Sequence, residues 1–150
     1  MRVRELMSQG IVTIDASASG QTAVEQMFRR KVRHLPVTES DGRLVGIVTD
    51  RDLRHHLFAQ GAFERGDRDV DGVLRSVRVR DIMSSPVISV APDDALEVAA
   101  RLMVEDKIGS LPVVEGGRPI GIITETDLLR QICRAATCSP DVEYIVVSYP

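Results

Sequence analysis

The feature that most constrains this chain is an internal duplication. Three motifs occur twice in the same order: VRELMS and VRDIMS from residues 3 and 79, HLPV and SLPV from 34 and 110, and GIVTDRDL and GIITETDL from 46 and 121. The first two pairs are offset by 76 positions and the third by 75, so one deletion separates them. The deletion falls in a turn, which reads ESDGR in copy one and EGGR in copy two, and turns tolerate such changes. The duplication therefore predicts two units of the same fold.

Each copy is predicted to form a β-α-β-β-α unit. Short β-branched segments at 11–14 and 87–90 predict first strands, each preceded by a turn of helix. A helix follows, capped in copy one by Ser17 or Ser19, and its apolar counterpart in copy two, at 95–104, is expected to be deeply buried. Two strands then flank the turn dipeptides DG and GG, and a last helix begins at Asp50 and at Glu125.

This order of elements predicts an α+β fold. A right-handed crossover gives each unit a three-stranded mixed sheet with both helices on one face. Because such a small unit buries its apolar faces poorly, the two units should pack together with pseudo-two-fold symmetry. We therefore expect unit one at residues 1–60, a polar connecting loop at 61–76, unit two at 77–135 and an extended C-terminal tail at 136–150.

Composition argues against several classes of function. The chain has 150 residues, a net charge of -3 and no block of Lys or Arg, so no nucleic-acid partner is expected. The absence of a signal core or a long apolar run predicts a cytoplasmic protein without a membrane span. Two cysteines, Cys133 and Cys138, are too few for a disulfide framework and lack the usual zinc spacing. The sequence shows no catalytic motif and no metal-binding cluster, so an enzyme is not expected.

The duplicated order of strand, HLPV motif, hairpin and GIVTDRD or GIITETD motif resembles the CBS-domain (cystathionine-β-synthase-type) family, over about residues 3–60 and 79–135. A tandem pair of this kind is called a Bateman module. The resemblance implies clefts between the two motifs that bind adenosine-containing ligands: AMP, ADP, ATP, NAD(H) or S-adenosylmethionine. It also implies a homodimer shaped as a flat disk and, without a catalytic domain, signalling to a separate protein.

The resemblance transfers ligand-binding roles position by position. The Thr-x-x-Asp motif that opens the last helix is present twice, and in the family its Asp holds the ribose hydroxyls and its Thr a phosphate or ribose oxygen. Physical chemistry supports these roles, because a helix N-terminus attracts phosphate and a carboxylate accepts hydrogen bonds from hydroxyl groups. The expected ligand-binding residues are Thr13, Ile14, Arg33, His34, Thr49 and Asp52 in copy one and Ser89, Val90, Lys107, Ser110, Thr124 and Asp127 in copy two.

Alternatives remain open. Thr-x-x-Asp before an apolar helix is also typical of a capping box, in which the acid reaches back to the N-cap. Arg33 and His34 correspond to Gly109 and Ser110, so the two sites are not expected to be equivalent, and copy one should bind the more highly charged ligand. The apolar end at 142–150 is expected on the neighbouring repeat or across a dimer interface. Three functions remain: a ligand-sensing module, a ligand-free structural dimer and, with least support, an enzyme.

Overall fold

The computed structural model describes residues 1–65 and 67–135, so the expected tail lies outside the described residues. A 3-10 turn at Val3–Glu5 comes first. The strands are β1 (Ile14–Asp15), β2 (His34–Thr38), β3 (Leu44–Thr49), β4 (Ser110–Glu115) and β5 (Arg118–Thr124). The helices are α1 (Gly20–Arg30), α2 (Asp50–Ala59), α3 (Ala62–Arg65), α4 (Asp67–Ser76), α5 (Val79–Ile82), α6 (Leu96–Asp106) and α7 (Glu125–Ala135). Within the described ranges, no helix has the length and apolar character that crossing a membrane requires.

The first copy forms the expected three-stranded mixed sheet, in the order β1-β2-β3. β1 is shorter than predicted and runs parallel to β2, with Ile14 opposite Val37, while β2 is antiparallel to β3. Ser19 is the N-cap of α1, and its hydroxyl accepts a hydrogen bond from the N–H of Thr22 at 3.1 Å. Side chains from the sheet, α1 and α2 form one buried cluster, which is the core of copy one.

The second copy differs at its first strand. β4 and β5 pair antiparallel, but the segment expected as a strand at 87–90 contributes only one parallel bridge, from Val90 to Val113. In copy one, the N–H of Ala16 donates to the carbonyl of Thr38 at 3.0 Å and extends the ladder. The corresponding residue of copy two is Pro92, which has no N–H to donate. The three-stranded sheet expected in copy two is therefore two regular strands with a single bridge beside them.

The connection between the copies is helical, which corrects the expected loop at 61–76. It forms α3 and α4. Val70, Val73 and Leu74 lie three and four residues apart and pack against the core of copy one, where Leu74 is only 6% exposed. This is the spacing of an amphipathic helix, which the polar composition of the segment obscured.

Each copy completes its core with the first helical turn of the other. Val3 is fully buried in the core of copy two, and Val79 is fully buried in the core of copy one. The N–H of Val3 donates to the carbonyl of Asp94 at 3.0 Å, and that of Val79 donates to the carbonyl of Ala18 at 2.9 Å. Because the repeat offset relates these two contacts, the copies form one unit with pseudo-two-fold symmetry.

Two glycines allow the copies to approach closely. A Cβ atom at Gly121 would lie 2.8 Å from Sδ of Met7 and 3.0 Å from the carbonyl oxygen of Ser8. The corresponding Gly46 would meet the carbonyl oxygen of Ser84 at 3.0 Å. Glycine is therefore required where the segment after each first helical turn crosses the other sheet.

Candidate functional site

A cavity of about 810 Å³ lies between the two copies, and we call it the central cleft. Residues of β2, β3 and α2 line it from copy one, and residues of β4, β5 and α7 line it from copy two. Its volume is within the range of small-molecule sites. Eight of the twelve expected ligand-binding residues line the cleft: Arg33, His34, Thr49, Asp52, Lys107, Ser110, Thr124 and Asp127.

Strand register brings the expected parts of each half-site together. β2 pairs with β3 so that His34 lies opposite Thr49, and the corresponding residues of copy two pair in the same way. The N–H of Asp50 donates to the carbonyl of Arg33 at 3.1 Å and joins the start of α2 to the start of β2. The residues before each Leu-Pro pair therefore lie beside the N-terminus of the last helix.

Both Thr-x-x-Asp motifs form capping boxes. Oδ2 of Asp52 accepts from the N–H and the hydroxyl of Thr49, each at 2.8 Å, and Oγ1 of Thr49 accepts from the N–H of Asp52 at 3.2 Å. Between Thr124 and Asp127 the corresponding distances are 2.9, 2.7 and 3.3 Å. The box uses only Oδ2 of each carboxylate, so Oδ1 can serve a ligand. Capping and ligand binding are therefore compatible roles for the same side chain.

His34 is partly buried in the central cleft, and this burial lowers the pKa of its imidazole because it penalises the charged form. Asp50 acts against that effect, as do Asp52 and Glu125, whereas Arg33 also lowers the pKa. Burial is the largest cause, so the cleft favours the neutral form of the imidazole. A neutral imidazole has one donor and one acceptor for a bound molecule.

The cleft contains charged residues that the sequence did not lead us to select. They are Lys31, Arg51, Arg54, Arg130, Asp50 and Glu125. Nη2 of Arg54 lies 3.0 Å from Oδ2 of Asp50, and Nη1 of Arg130 lies 3.9 Å from Oδ1 of Asp127. Helical spacing in the sequence could have identified Arg54 and Arg130, because each follows an acidic residue of the first helical turn by three or four positions.

Lys31 and Lys107 are the only lysines in the chain, they are 76 positions apart, and both line the central cleft. Each ends the long first helix of its copy in the left-handed conformation, with φ of 55° and 54°. Glycine is the usual residue at such a position, because a side chain costs about 1–2 kcal/mol in this conformation. Lysine at both positions favours a role in ligand binding.

Four expected ligand-binding residues do not line the central cleft. Ile14 and Val90 are buried in the cores of copies one and two. Successive side chains of a strand point to opposite sides. Thr13 lines a separate, smaller cavity, and Ser89 is exposed. None of these four residues contributes to the central cleft.

Comparison with known proteins agrees with this architecture. The family model for the CBS domain matches residues 3–59 and 79–134. A CBS domain-containing protein of Dictyostelium discoideum is 35% identical over 129 residues, which cover 85% of this chain and 88% of that protein. A homoserine O-acetyltransferase of Methanohalobium evestigatum is 32% identical over 87% of this chain, but the match spans only 24% of that protein.

Solved structures have the same fold. The CBS domain pair of protein MJ0100, in complex with 5′-methylthioadenosine and S-adenosyl-L-methionine, has a TM-score of 0.77 and 25% identity over 91% of this chain and 98% of its own. CBSX2 in complex with AMP has a TM-score of 0.72 and 30% identity, with 89% of this chain and 97% of its own covered. All three of those ligands contain an adenosine group.

Proposed function

This chain belongs to the CBS domain family, and from that premise we propose that it is a regulatory module that binds an adenosine-containing ligand in the central cleft and signals to a partner protein. One observation carries the proposal: both Thr-x-x-Asp motifs, at Thr49/Asp52 and at Thr124/Asp127, lie on the same cleft. The adenosine ligands of the two similar structures support this ligand class. The proposal includes a cytoplasmic location and no catalytic activity.

The proposed contacts follow from the residues of the cleft. Oδ1 of Asp52 and of Asp127 accepts hydrogen bonds from ribose hydroxyls, while Oδ2 stays in the capping box. The N-termini of α2 and α7 present the positive ends of two helix dipoles to phosphate. Val32 and Ile108, which correspond in the repeat, line the cleft and offer apolar surface to adenine. AMP, ADP, ATP, NAD(H) and S-adenosylmethionine all contain the ribose and base that these contacts recognise.

The two halves of the cleft differ in charge. Copy one contributes four cationic residues and two acidic ones, whereas copy two contributes two of each. Lys31 corresponds to Lys107, but the other three copy-one cations have no cationic counterpart. Arg33, Arg51 and Arg54 are replaced in the repeat by Gly109, Thr126 and Leu129. We therefore propose that copy one holds the ligand with the larger negative charge.

A melting-temperature screen tests the proposed function. The ligands are AMP, ADP, ATP, NAD, NADH and S-adenosylmethionine, with GMP as the control for the base. A ligand at 100 times its dissociation constant adds about 2.7 kcal/mol to the free energy of unfolding. For a chain of this size the melting temperature should rise by roughly 5–10 °C. If none of the six adenosine compounds shifts the melting temperature, the ligand-sensing function is wrong.

A second candidate function, structural dimerisation, is favoured by the exposed apolar residues of the long helices. Phe28 on α1 is 87% exposed and the corresponding Val104 on α6 is 77% exposed, although α6 was expected to be deeply buried. Phe58 on α2 and Leu129 and Ile132 on α7 are also exposed. Apolar surface of this kind is typical of an interface. We propose that these helices join two copies of the chain as a homodimer.

Sedimentation equilibrium tests the homodimer. The wild-type chain should sediment as a dimer, and Phe28→Glu should sediment as a monomer because it buries a charge in the proposed interface. Asp71→Ala, an exposed change on α4, is the control and should remain a dimer. A wild-type monomer, or a dimer that survives Phe28→Glu, would contradict this interface. A dimer with no response in the ligand screen would favour the scaffold over the sensor.

A further inference from the structure

A second cavity, of about 360 Å³, lies beside the edge strand of copy one, and we call it the edge cavity. Among the described residues, it shares no lining residue with the central cleft. Its walls are the segment 10–13 before β1 and the side of α1 that carries Gln26, Arg29 and Arg30. These three residues share one face of the helix, because they are spaced three and four positions apart. The edge cavity also holds Thr13, which the central cleft leaves out.

Gln26 lines the edge cavity, and its side chain has an unused hydrogen-bond acceptor. Its Oε1 is buried without a partner, and within residues 1–65 and 67–135 it is the one buried side-chain nitrogen or oxygen in that state. A buried acceptor without a donor destabilises the folded protein. A bound molecule with a hydroxyl group could relieve this cost.

Arg29 and Arg30 give the edge cavity two positive charges. Both are exposed, and neither forms an ion pair with a residue that the structure describes. A guanidinium group donates two parallel hydrogen bonds to a phosphate or a carboxylate. The pair is therefore suited to an anion.

The repeat provides an internal comparison for this face of α1. The residues that correspond to Gln26, Arg29 and Arg30 in copy two are Leu102, Glu105 and Asp106. Leu102 packs against the core of copy two, and the two charges are reversed. The fold therefore requires neither the amide nor the two cations. Copy one retains a buried acceptor without a partner where copy two has a leucine packed against its core, which points to a function particular to copy one.

We propose that the edge cavity binds a small phosphorylated polyol of the sugar-phosphate class. Arg29 and Arg30 hold the phosphate, and the hydroxyl of Thr13 is a further polar contact. The side-chain amide of Gln26 turns toward the cavity, so that Oε1 accepts a hydrogen bond from a sugar hydroxyl. An anion without hydroxyl groups would leave Gln26 unsatisfied, and a neutral sugar would leave the arginines unpaired. The volume is near the lower limit for small-molecule sites and suits one such metabolite.

Titration of the full chain with ribose 5-phosphate, followed by amide NMR, tests the proposal. The amides of Gly10 and Thr13 should show saturable shifts. The double variant Arg29→Glu/Arg30→Asp, which adopts the copy-two residues, should lose these shifts and keep its affinity for AMP. Asp52→Ala should keep the ribose 5-phosphate shifts, so failure here and failure of the nucleotide site are distinguishable.

Gln26→Leu provides the second variant, because it removes the unsatisfied acceptor and keeps a side chain that copy two accepts at this position. Its melting temperature without ligand should rise, while its affinity for ribose 5-phosphate, measured from the Gly10 and Thr13 shifts, should fall by about tenfold. Three results would overturn the proposal: no saturable shift in the wild type, equal binding by the double arginine variant, or equally tight binding of inorganic phosphate that Gln26→Leu does not affect.

Discussion

In the proposed site, each half of the central cleft uses one carboxylate for two purposes. In Asp52, Oδ2 closes the capping box and Oδ1 is left for a ligand. Asp127 has the same capping box, and its Oδ1 lies 3.9 Å from Nη1 of Arg130. Loss of a cap costs about 0.5–2 kcal/mol of stability, whereas loss of Oδ1 costs affinity. The sequence could not separate the roles, because a capping box and a ribose-binding motif have the same pattern there. In the structure the capping box occupies only Oδ2, which makes a second role for Oδ1 possible.

Lys31→Gly should reduce affinity for phosphate with little effect on stability. Glycine relieves the left-handed backbone at φ 55°, but it increases the freedom of the unfolded chain and removes a charge from the C-terminus of α1. These opposing effects should leave the free energy of unfolding within about 1 kcal/mol of the wild type. Calorimetry should show an affinity for ATP about tenfold lower and an unchanged affinity for adenosine.

Lys31→Arg is the matched control, since it keeps the charge at the same position and should retain most of the affinity for ATP. A loss of affinity that is equal for ATP and adenosine would show that Lys31 shapes the cleft and does not contact phosphate.

At the scale of elements, α4 is part of the core of copy one and is more than a connection. Val70 and Val73 pack against that core, Leu74 is buried in it, and Arg75 reaches back to α1, where its Nε donates to Oε1 of Gln21 at 2.8 Å. Among the described residues, twelve buried side chains form the core of copy one and seven form the core of copy two.

Leu74→Ala should destabilise the protein by about 2–5 kcal/mol, as expected for a buried leucine. Gly72→Ala should stabilise it by roughly 0.5–1 kcal/mol, because Gly72 is inside α4 and its added Cβ would meet open space. Denaturant unfolding measures both changes, with Asp71→Ala expected to remain within about 0.5 kcal/mol of the wild type. A negligible effect of Leu74→Ala would mean that residues 67–76 do not belong to the core.

Elements with a clear local pattern were predictable from the sequence. The last helices begin at the predicted Asp50 and Glu125, and both hairpins turn at the predicted dipeptides. The first strand of copy two was not predictable, because the effect of Pro92 depends on the hydrogen bond that Ala16 makes to a distant strand in copy one. The helix α4 was missed because charged residues separate its apolar positions.

At the scale of the whole molecule, the exchange of the first helical turns makes the two copies one unit. Val3 belongs to the core of copy two and Val79 to the core of copy one. This long-range exchange has no local sequence signal, so the duplication predicted that the copies pack together but not how. The exchange fixes one sheet against the other and places both Thr-x-x-Asp motifs on one cleft. The charge difference between the two halves of the cleft also depends on side chains that only this arrangement brings together.

Calorimetric titration of AMP into Asp52→Ala, Asp127→Ala and the exposed control Asp41→Ala tests whether the paired carboxylates bind the ligand. The two cleft variants should remain folded, with a stability loss limited to that of a lost cap, and each should lower AMP affinity or remove one bound AMP. The control should bind AMP as the wild type does. Wild-type AMP affinity and stoichiometry in both cleft variants would show that these carboxylates do not form the binding site.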